Sequence, residues 1–383
     1  MRKKIAIIHP RLGWGGSEAT ALWMIEALKN EYDVSLVTTG NVDVSGLNAY
    51  YGTGLYQKEF SVMYVPMPLG LRKTMKFAAL RGRFIQRYCQ KIASQFDVMI
   101  DAYSPCDFKT RGIQFATDIA QLPTIIDLSS VTMAWYGDTF LRKMYLALCD
   151  LVSPLHPEAW KNNVTISNSH WTADVMLKKY GISSRVLYPP VVGDSPNVPY
   201  EKKEQGFVLI GRIVPEKKIT VAIEILEKVR QKGRNIKFHI IGGVGSHTYM
   251  RTLKPIFLKN KSWLFFEGRL SEENKKKIIT SCQFGISCRK NEPFGIAVAE
   301  MVKSGSIVFV PDGGGQTEIV DNAALIYKDI EDAVQKIESV INNETLQNAL
   351  REHLLKNAQK FSVDNFKREI KNIVDTFLKN NIK

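Results

Sequence analysis

The sequence predicts an α/β protein made of two doubly wound, Rossmann-like domains. Its 383 residues are enough for two separate hydrophobic cores. In both halves short apolar runs alternate with helical patterns, which is typical of parallel sheets covered by helices. A segment rich in Pro, Gly and Lys divides the halves. We therefore predict a first domain at 1–190, a linker at 191–205, a second domain at 206–360 and an amphipathic C-terminal helix at 361–383.

The composition favours a globular protein that binds an anionic partner. The formal net charge of +14 attracts nucleic acid, a membrane face or phosphorylated substrates. We predict no nucleic-acid partner, because the sequence has no zinc-finger spacing and no RNP-like aromatic motif. The five cysteines are odd in number and lack C-x-x-C spacing, which fits reduced thiols. Neither they nor the six histidines form a ligand cluster along the chain, so we predict no metal site.

The sequence predicts a cytoplasmic location. No apolar run approaches the ~20 residues that a spanning helix needs. The N-terminal run at 1–8 starts with basic residues but is short, and His9-Pro10-Arg11 interrupts it. We interpret it as a first strand and not as a signal peptide.

Residues 69–96 form a basic segment whose role stays open between two interpretations. The segment carries seven Lys and Arg residues and no acid before Asp97, while its apolar residues recur every three or four positions. It is either a helix that lies on an anionic membrane, on the inner face, or a domain helix with one face on the sheet and a solvated basic face.

A glycine-rich turn follows the first predicted strand, Lys4–Ile8. Glycines at 13, 15 and 16 precede a predicted helix at about 18–29 and a second strand at Val34–Thr38. The spacing is not the dinucleotide fingerprint G-x-G-x-x-G, and no acidic residue follows the second strand. Gly15 and Gly16 would let the backbone approach a ligand closely. An ordinary strand-to-helix turn is the alternative.

The stretch 291–300, reading N-E-P-F-G-I-A-V-A-E, places two glutamates around the start of a helix. Gly295 stands where loop becomes helix, so the N–H groups near Ile296 form an anion-binding end. Glu300 lies one turn further along the same face, where its carboxylate would accept hydrogen bonds from a diol such as a ribose. Glu292 would reach hydroxyls before the turn. The alternative is a helix start with two solvated glutamates.

Two cations follow the first strand of the second domain. Phe207–Ile210 is a predicted strand, and Arg212 and Lys217 lie in the loop after it. Two such cations would neutralise a diphosphate and stabilise it as it leaves.

These motifs resemble those of glycosyltransferase family 4, a retaining family with the GT-B fold. Glu-Pro-Phe-Gly with its second glutamate resembles the E-x7-E motif, and residues 211–218 resemble G-R-x-x-x-x-K-G, with Lys218 where glycine is usual. The Gly-Gly-Ser-Glu sequence at 15–18 resembles the N-terminal loop of that family. The resemblance implies two Rossmann-like domains that face a central cleft, with the C-terminal helix crossing back to an N-terminal, acceptor-binding domain.

The resemblance also implies roles for individual residues. Arg212 and Lys217 would hold the diphosphate without a metal or cofactor, Glu292 the donor sugar and Glu300 the ribose. Where family members often carry a catalytic histidine, this chain has Thr117 and Asp118; Asp118 is the candidate to accept a proton from the acceptor, with a helix cap as its alternative role. The catalytic candidates are thus Glu292, Arg212, Lys217 and Asp118. The donor-binding candidates are Gly15, Gly16, Arg212, Lys217, Gly243, Arg269, Leu270, Glu292, Phe294, Gly295, Ile296 and Glu300.

The predicted function is transfer of a hexose from a nucleotide-diphosphate-sugar, with UDP or GDP as nucleotide, to an acceptor hydroxyl with retention. The expected acceptor is a glycan or lipid-linked molecule in cell-surface polysaccharide, glycolipid or glycan synthesis. Two other classes stay open. One is another GT-B enzyme, such as a sugar-nucleotide epimerase or a phosphorylase, and the other is a non-catalytic nucleotide-sugar-binding protein.

Overall fold

A computed structural model describes residues 2–72, 77–117, 140–193 and 198–380. The chain divides into two compact units. The first unit comprises Met1–Pro190 together with Val363–Lys383, and the second comprises Val191–Ser362. Each unit is built around a parallel sheet, so the predicted α/β class with two Rossmann-like, doubly wound units is confirmed.

The first unit contains one parallel sheet. Its strands are β1 (Lys4–Ile8), β2 (Asp33–Thr38), β3 (Ser61–Tyr64), β4 (Val98–Asp101), β5 (Ile113–Ala116), β6 (Val164–Ser167) and β7 (Arg185–Val186). Over the described residues, the strand order is β3-β2-β1-β4-β5-β6-β7. Its helices are α1 (Gly16–Leu28), α2 (Val44–Tyr51), α3 (Leu69–Arg72), α4 (Ala78–Ile92), α5 (Phe140–Val152) and α6 (His170–Tyr180).

The second unit repeats this organisation. Its strands are β8 (Glu204–Ile210), β9 (Lys237–Ile241), β10 (Leu264–Gly268), β11 (Cys282–Ile286), β12 (Ile307–Pro311) and β13 (Ile326–Tyr327), in the order β10-β9-β8-β11-β12-β13 across the described residues. Its helices are α7 (Ile219–Gln231), α8 (His247–Lys259), α9 (Glu272–Ser281), α10 (Ile296–Lys303), α11 (Gln316–Val320), α12 (Ile330–Ile341) and α13 (Glu344–Ala358).

The last helix, α14 (Val363–Asn380), belongs to the first unit. Its buried residues Phe366, Ile370 and Phe377 share a core with α1 and with one face of the first sheet. The other face of that sheet packs against α4. The last four residues of β1 are apolar because both faces of the strand are covered: Ile5 and Ile7 point into the core shared with α1 and α14, and Ala6 and Ile8 point into the core shared with α4.

Within the basic segment, α4 is a domain helix. It begins at Ala78, directly after Phe77 adopts a left-handed conformation (φ 60°), so the helix does not continue through that residue. Ile85 and Cys89 are buried against the sheet. Arg83 is also buried, and its Nη2 lies 2.7 Å from Asp150 Oδ1 of α5, which removes it from the predicted solvated basic face. Lys73 and Lys76 lie outside the described residues.

Among the described helices, none combines the length and the apolarity required to cross a bilayer.

Candidate functional site

The strand order of the second sheet predicts where a ligand binds. Strand β8 has β9 on one side and β11 on the other, so the order reverses between β8 and β11. In open parallel sheets, ligands bind outside the carboxyl ends of the strands at such a switch point. Arg212 and Lys217 follow β8, and Glu292 follows β11. The fold therefore gathers the residues of two separate sequence motifs at one edge of one sheet.

The loop after β8 presents Lys217 by means of a short 3-10 turn, Pro215–Lys217. The turn ends at Lys218, which adopts a left-handed conformation (φ 51°, ψ 41°) and precedes α7. Glycine is the residue that adopts this conformation without strain. The glycine of the resembling motif is thus explained by backbone geometry, and this chain adopts the same geometry with a lysine.

The loops after β8 and β9 touch through their backbones. A Cβ on Gly242 would lie 1.9 Å from the carbonyl oxygen of Gly211, so any side chain at 242 would separate the loops. The next residue, Gly243, faces the loop after β10, because its Cβ would lie 4.0 Å from Cβ of Arg269. Arg269 is exposed and Leu270 is half-buried. The donor candidates after β9 and β10 therefore adjoin those after β8.

Glu292 is the centre of a charge cluster. Its Oε2 lies 2.8 Å from Lys217 Nζ, and its Oε1 lies 3.3 Å from Arg289 Nη1. Burial raises the pKa of the Glu292 carboxyl, but the charges of Lys217, Arg289 and Arg212 outweigh burial and hold the pKa below its ordinary value. Glu292 is therefore an ionised carboxylate surrounded by cations. Arg289 was not among the predicted site residues.

A glycine-rich turn after β12 supports Glu292 from behind. Gly314 has a positive φ of 84°, and a Cβ there would lie 2.6 Å from both N and O of Glu292. The Gly315 N–H donates to the Glu292 carbonyl at 2.8 Å. Gln316 is fully buried and donates from Nε2 to the carbonyl of Arg289 at 2.6 Å. The position of Glu292 is thus fixed by close backbone contact.

Helix α10 starts beside this cluster. Its N-cap, Gly295, has φ 105° and ψ 56°, and no side chain caps the helix. Uncapped N–H groups at a helix start, together with the helix dipole, favour a bound anion. Phe294 is buried against Phe361, with ring centroids 5.3 Å apart, which anchors the loop. Ile296, the first residue of α10, is half-buried.

Glu300 is one turn into α10 and has its own cation. Lys275 Nζ of α9 lies 3.3 Å from Glu300 Oε1 and 3.4 Å from Oε2. Burial raises the pKa of Glu300, which the Lys275 charge only partly offsets. The same ammonium lies 2.8 Å from Glu272 Oε2. Lys275 was not a predicted site residue, since nothing in its local sequence distinguishes it from neighbouring lysines.

The first sheet has its own switch point, between β1 and β4. His9 follows β1 and is buried, with Nε2 3.2 Å from Ser17 Oγ and its ring against Tyr103. Burial lowers the pKa of His9 to about 4. Asp101 ends β4, and burial raises its pKa to about 7 even though the N–H groups of Tyr103 and Ser104 donate to it. His9 was missed as a site candidate.

The glycine-rich loop of the first unit is tied to α2. The Gly15 N–H donates to the Tyr51 hydroxyl at 2.7 Å, and that hydroxyl lies 2.9 Å from the carbonyl oxygens of Gly13 and Gly15. A Cβ on Gly15 would lie 2.6 Å from Oε2 of Glu18. Gly16 begins α1. In this arrangement the Gly15 amide is occupied within the protein. Asp118, the remaining catalytic candidate, lies outside the described residues.

The family model described as glycosyl transferases group 1 matches residues 194–361. The GDP-Man:Man(3)GlcNAc(2)-PP-Dol alpha-1,2-mannosyltransferase of Candida glabrata is 30% identical over 170 residues, which are 40% of this chain and 34% of that protein. The mouse protein of the same description is 25% identical over 81% of this chain and 73% of its own length. The alpha-1,3/1,6-mannosyltransferase of Saccharomyces cerevisiae is 22% identical over 83% of this chain and 71% of its own length.

Solved structures share the fold over almost the whole chain. Sucrose-phosphate synthase from Thermosynechococcus elongatus has a TM-score of 0.73 at 13% identity, covering 99% of this chain and 100% of its own. Anabaena HepE in complex with UDP and glucose has a TM-score of 0.69 at 14% identity, covering 97% and 99%. WaaG, a glycosyltransferase involved in lipopolysaccharide biosynthesis, has a TM-score of 0.68 at 14% identity, covering 96% and 99%. At these identities the likeness shows the fold alone.

Proposed function

Because the family model of glycosyl transferases group 1 matches residues 194–361, we propose that this protein transfers a sugar from a nucleotide-diphosphate-sugar to an acceptor hydroxyl. The observation that carries the proposal is the charge cluster at the switch point of the second sheet. There, Lys217 and Arg289 flank the ionised Glu292 beside the uncapped start of α10. Such a site suits a ligand with an anionic centre and hydroxyls next to it.

In the proposed complex the diphosphate lies between Arg212, Lys217 and the start of α10. The cations Arg212, Lys217 and Arg289 together with one carboxylate, Glu292, leave a local charge of about +2, which matches a diphosphate. When the sugar–phosphate bond breaks, negative charge grows on the leaving nucleoside diphosphate, and fixed cations stabilise it most at that moment. Their presence is the reason we propose that transfer needs no metal ion.

Glu292 and Glu300 accept hydrogen bonds from hydroxyl groups on either side of the phosphates. Glu292 is held as a carboxylate by its cations, so it accepts hydrogen bonds from the donor sugar. Glu300 lies on the next turn of α10, where Lys275 fixes its carboxyl to receive the ribose. Gly243, Arg269 and Leu270, in the loops after β9 and β10, would line the base. These roles explain why the carboxylates of Glu292 and Glu300 lie beside a phosphate site whose other charged side chains are cations.

The descriptions of two relatives support a proposal for the class of donor and the class of acceptor. One relative is described as acting with GDP-Man on a PP-Dol-linked glycan, and one solved relative of the fold holds UDP and glucose. We propose a GDP- or UDP-hexose as donor and a glycan or lipid-linked sugar as acceptor, in cell-surface polysaccharide, glycolipid or glycan synthesis. Retention of the anomeric configuration is part of the proposal. An inverted product, seen by NMR of the new linkage, would contradict it.

We further propose that the first unit contacts an anionic membrane through α5 and not through α4. The side chains of Phe140, Leu141, Met144, Leu148 and Leu151 are exposed on α5. The basic residues Arg142 and Lys143 lie among them, and the whole chain has a net charge of +14. Leu148→Asp with Leu151→Asp should abolish sedimentation with anionic vesicles, whereas Leu177→Asp, at an exposed leucine of α6, should not. Equal sedimentation of both variants would refute this surface.

Thermal stabilisation by nucleotide sugars tests the donor site. UDP-, GDP- and ADP-hexoses are each added to the wild type, to Arg212→Ala and to Arg251→Ala, which removes an exposed arginine of α8. We expect one nucleotide class to raise the Tm of the wild type and of Arg251→Ala by several degrees, and that of Arg212→Ala far less. If no nucleotide sugar shifts the Tm, or if Arg212→Ala responds fully, the proposed site is wrong.

Product analysis separates transfer from the other classes. A transferase releases nucleoside diphosphate in proportion to glycosylated acceptor. An epimerase converts the sugar and leaves it attached to the nucleotide, and a phosphorylase requires inorganic phosphate. A non-catalytic binding protein shows the Tm shift and forms no product.

A further inference from the structure

A cluster of metal-ligating side chains lies on the second sheet, away from its switch point. Glu204, His239 and Cys282 each contribute one ligand atom, and these atoms all lie within 4.8 Å of one another. The residues come from three neighbouring strands, β8, β9 and β11. Glu204 and Cys282 are the first residues of their strands and His239 is the middle residue of β9, so all three ligands lie on the strands and not in the loops at the carboxyl ends. The cluster is distinct from the proposed donor site.

His239 is oriented as a ligand. Its Nδ1 lies 2.7 Å from Glu267 Oε1, and its ring stacks on Phe265 with centroids 5.0 Å apart. A carboxylate on one ring nitrogen fixes the tautomer and leaves the other nitrogen able to bind a metal. That other atom, Nε2, is buried, and among the described residues it makes no hydrogen bond of good geometry, although it lies 3.2 Å from Glu204 Oε1.

The backbone leaves room for the cluster. Gly206 lies within β8, and a Cβ there would lie 3.3 Å from Cys282 Sγ and 3.2 Å from Glu204 Cγ. A side chain at 206 would therefore press on two of the three ligands. Glycine in a strand interior marks a bulge or a close approach of other groups, and the register between β8 and β11 shifts here, between Cys282 and Phe284.

The distances fit a tetrahedral ion. Around Zn²⁺, nitrogen and oxygen ligands lie roughly 3.3 Å apart, and sulfur and oxygen ligands roughly 3.6 Å apart. Here Nε2 and Oε1 are 3.2 Å apart, and Cys282 Sγ is 4.0 Å from Oε1. The second oxygen of Glu204 is held by Lys237 Nζ at 2.8 Å, which leaves Oε1 for the ion. Cys282 Sγ, which lies within 4.8 Å of Nε2, would move closer to both atoms when the ion binds.

We propose that Glu204, His239 and Cys282 bind a thiophilic divalent cation such as Zn²⁺, with Glu267 positioning the histidine and water as the fourth ligand. Binding forms a metal–sulfur bond and releases the Cys282 proton to solvent. Burial raises the pKa of the Cys282 thiol to about 12, so the ion must displace that proton. The bound ion would link β8, β9 and β11 and stabilise the second unit.

The alternative is a hydrogen-bonded cluster in which a protonated His239 bridges Glu204 and Glu267. That arrangement uses both carboxylates, and the Cys282 thiol keeps its proton and donates from Sγ to Glu204 Oε1 across 4.0 Å. A metal ion would bind the ligand atoms of all three residues. The two cases therefore differ in whether the Cys282 sulfur is bonded to a metal. The test therefore measures whether the Cys282 sulfur binds a metal ion.

Untagged protein, stripped with a chelator, is titrated with Co²⁺ and then with Zn²⁺. We expect about one Co²⁺ per chain, with a thiolate-to-cobalt charge-transfer absorption that Zn²⁺ displaces, and a Tm several degrees higher with Zn²⁺. Cys282→Ser should lose the absorption, whereas Cys288→Ser, at another buried cysteine of the same unit, should keep it. His239→Gln should lower the metal stoichiometry to near zero and remove the Tm shift, which covers the case in which Cys282→Ser fails to fold.

Absence of the absorption in the wild type, or its persistence in folded Cys282→Ser, would overturn the metal site. Full stoichiometry in His239→Gln would overturn it as well. Because the three ligands lie on the strands and not in the loops at the switch point, nucleotide-sugar stabilisation should persist in chelated protein, so this proposal and the proposed transferase function can fail separately.

Discussion

The two units share one topology but line their switch points with different chemistry. In the second unit, Arg212, Lys217 and Arg289 surround the ionised Glu292. In the first unit the corresponding edge carries His9, whose pKa is lowered to about 4, and Asp101, whose pKa is raised to about 7, with Glu18 in the loop. At neutral pH His9 is therefore neutral, and the loop after β1, residues 9–15, supplies one cation, Arg11, instead of a cluster. The comparison shows that the strand order of a sheet determines where a site lies, while the loop residues determine which class of ligand it binds.

Removing a cation from the second switch point should give the largest effect. Lys217→Ala deletes the partner of Glu292 and one cation for the diphosphate, so kcat/KM for the donor should fall about 10²–10³-fold. Steady-state kinetics with the donor found in the Tm screen measures it.

Lys218→Gly is the matched control, because it removes the same charge one residue away. The glycine fits the left-handed backbone, so activity should stay within about 3-fold and stability should rise by ~1 kcal/mol. Equal losses in both variants would mean that only net charge matters at this switch point.

Changing a hydroxyl-binding carboxylate should have a smaller effect. Glu300→Gln keeps the shape but weakens the acceptor for the ribose, so the donor KM should rise about 10-fold with little change in kcat. Glu272→Gln is the control, since Glu272 pairs with the same Lys275 ammonium but belongs to α9. If only Glu272→Gln raised the donor KM, Glu300 would not be a ribose-binding residue.

A substitution at the first switch point should change the pH dependence of stability more than it changes donor binding. Asp101 is protonated in the folded state up to about pH 7, but in the unfolded state only up to its ordinary pKa of 3.8. Its contribution to stability is therefore present below pH 3.8 and is lost as pH rises towards 7. Asp101→Asn keeps an acceptor for the two N–H donors and lacks this loss.

The Tm of Asp101→Asn relative to the wild type should accordingly be higher at pH 8 than at pH 5, by roughly 5 °C. Thermal unfolding at the two pH values measures this difference, and the opposite pH dependence expected from His9 cancels because both proteins contain it. A difference that does not change with pH would show that Asp101 is ionised throughout.

The sequence by itself determined the fold class and the pieces of the candidate site. Short apolar runs predicted strands such as β1 to the residue, because residues buried on both faces of a sheet are apolar, as the last four residues of β1 are. Motif spacing predicted the loop-to-helix change at Gly295, since that backbone conformation depends on local residues. The motif has glycine where this chain has Lys218, and Lys218 adopts the left-handed conformation that glycine favours.

Only the tertiary structure determined which charged side chains pair with one another. Lys217 and Glu292 are 75 residues apart, and Lys275 and Glu300 lie on different helices, so their pairing follows from strand order and not from local pattern. The same holds for Glu204, His239 and Cys282, whose spacing along the chain suggested no cluster. Neighbouring strands bring distant residues within a few ångströms, and a sequence pattern that repeats every two or four residues carries no record of that.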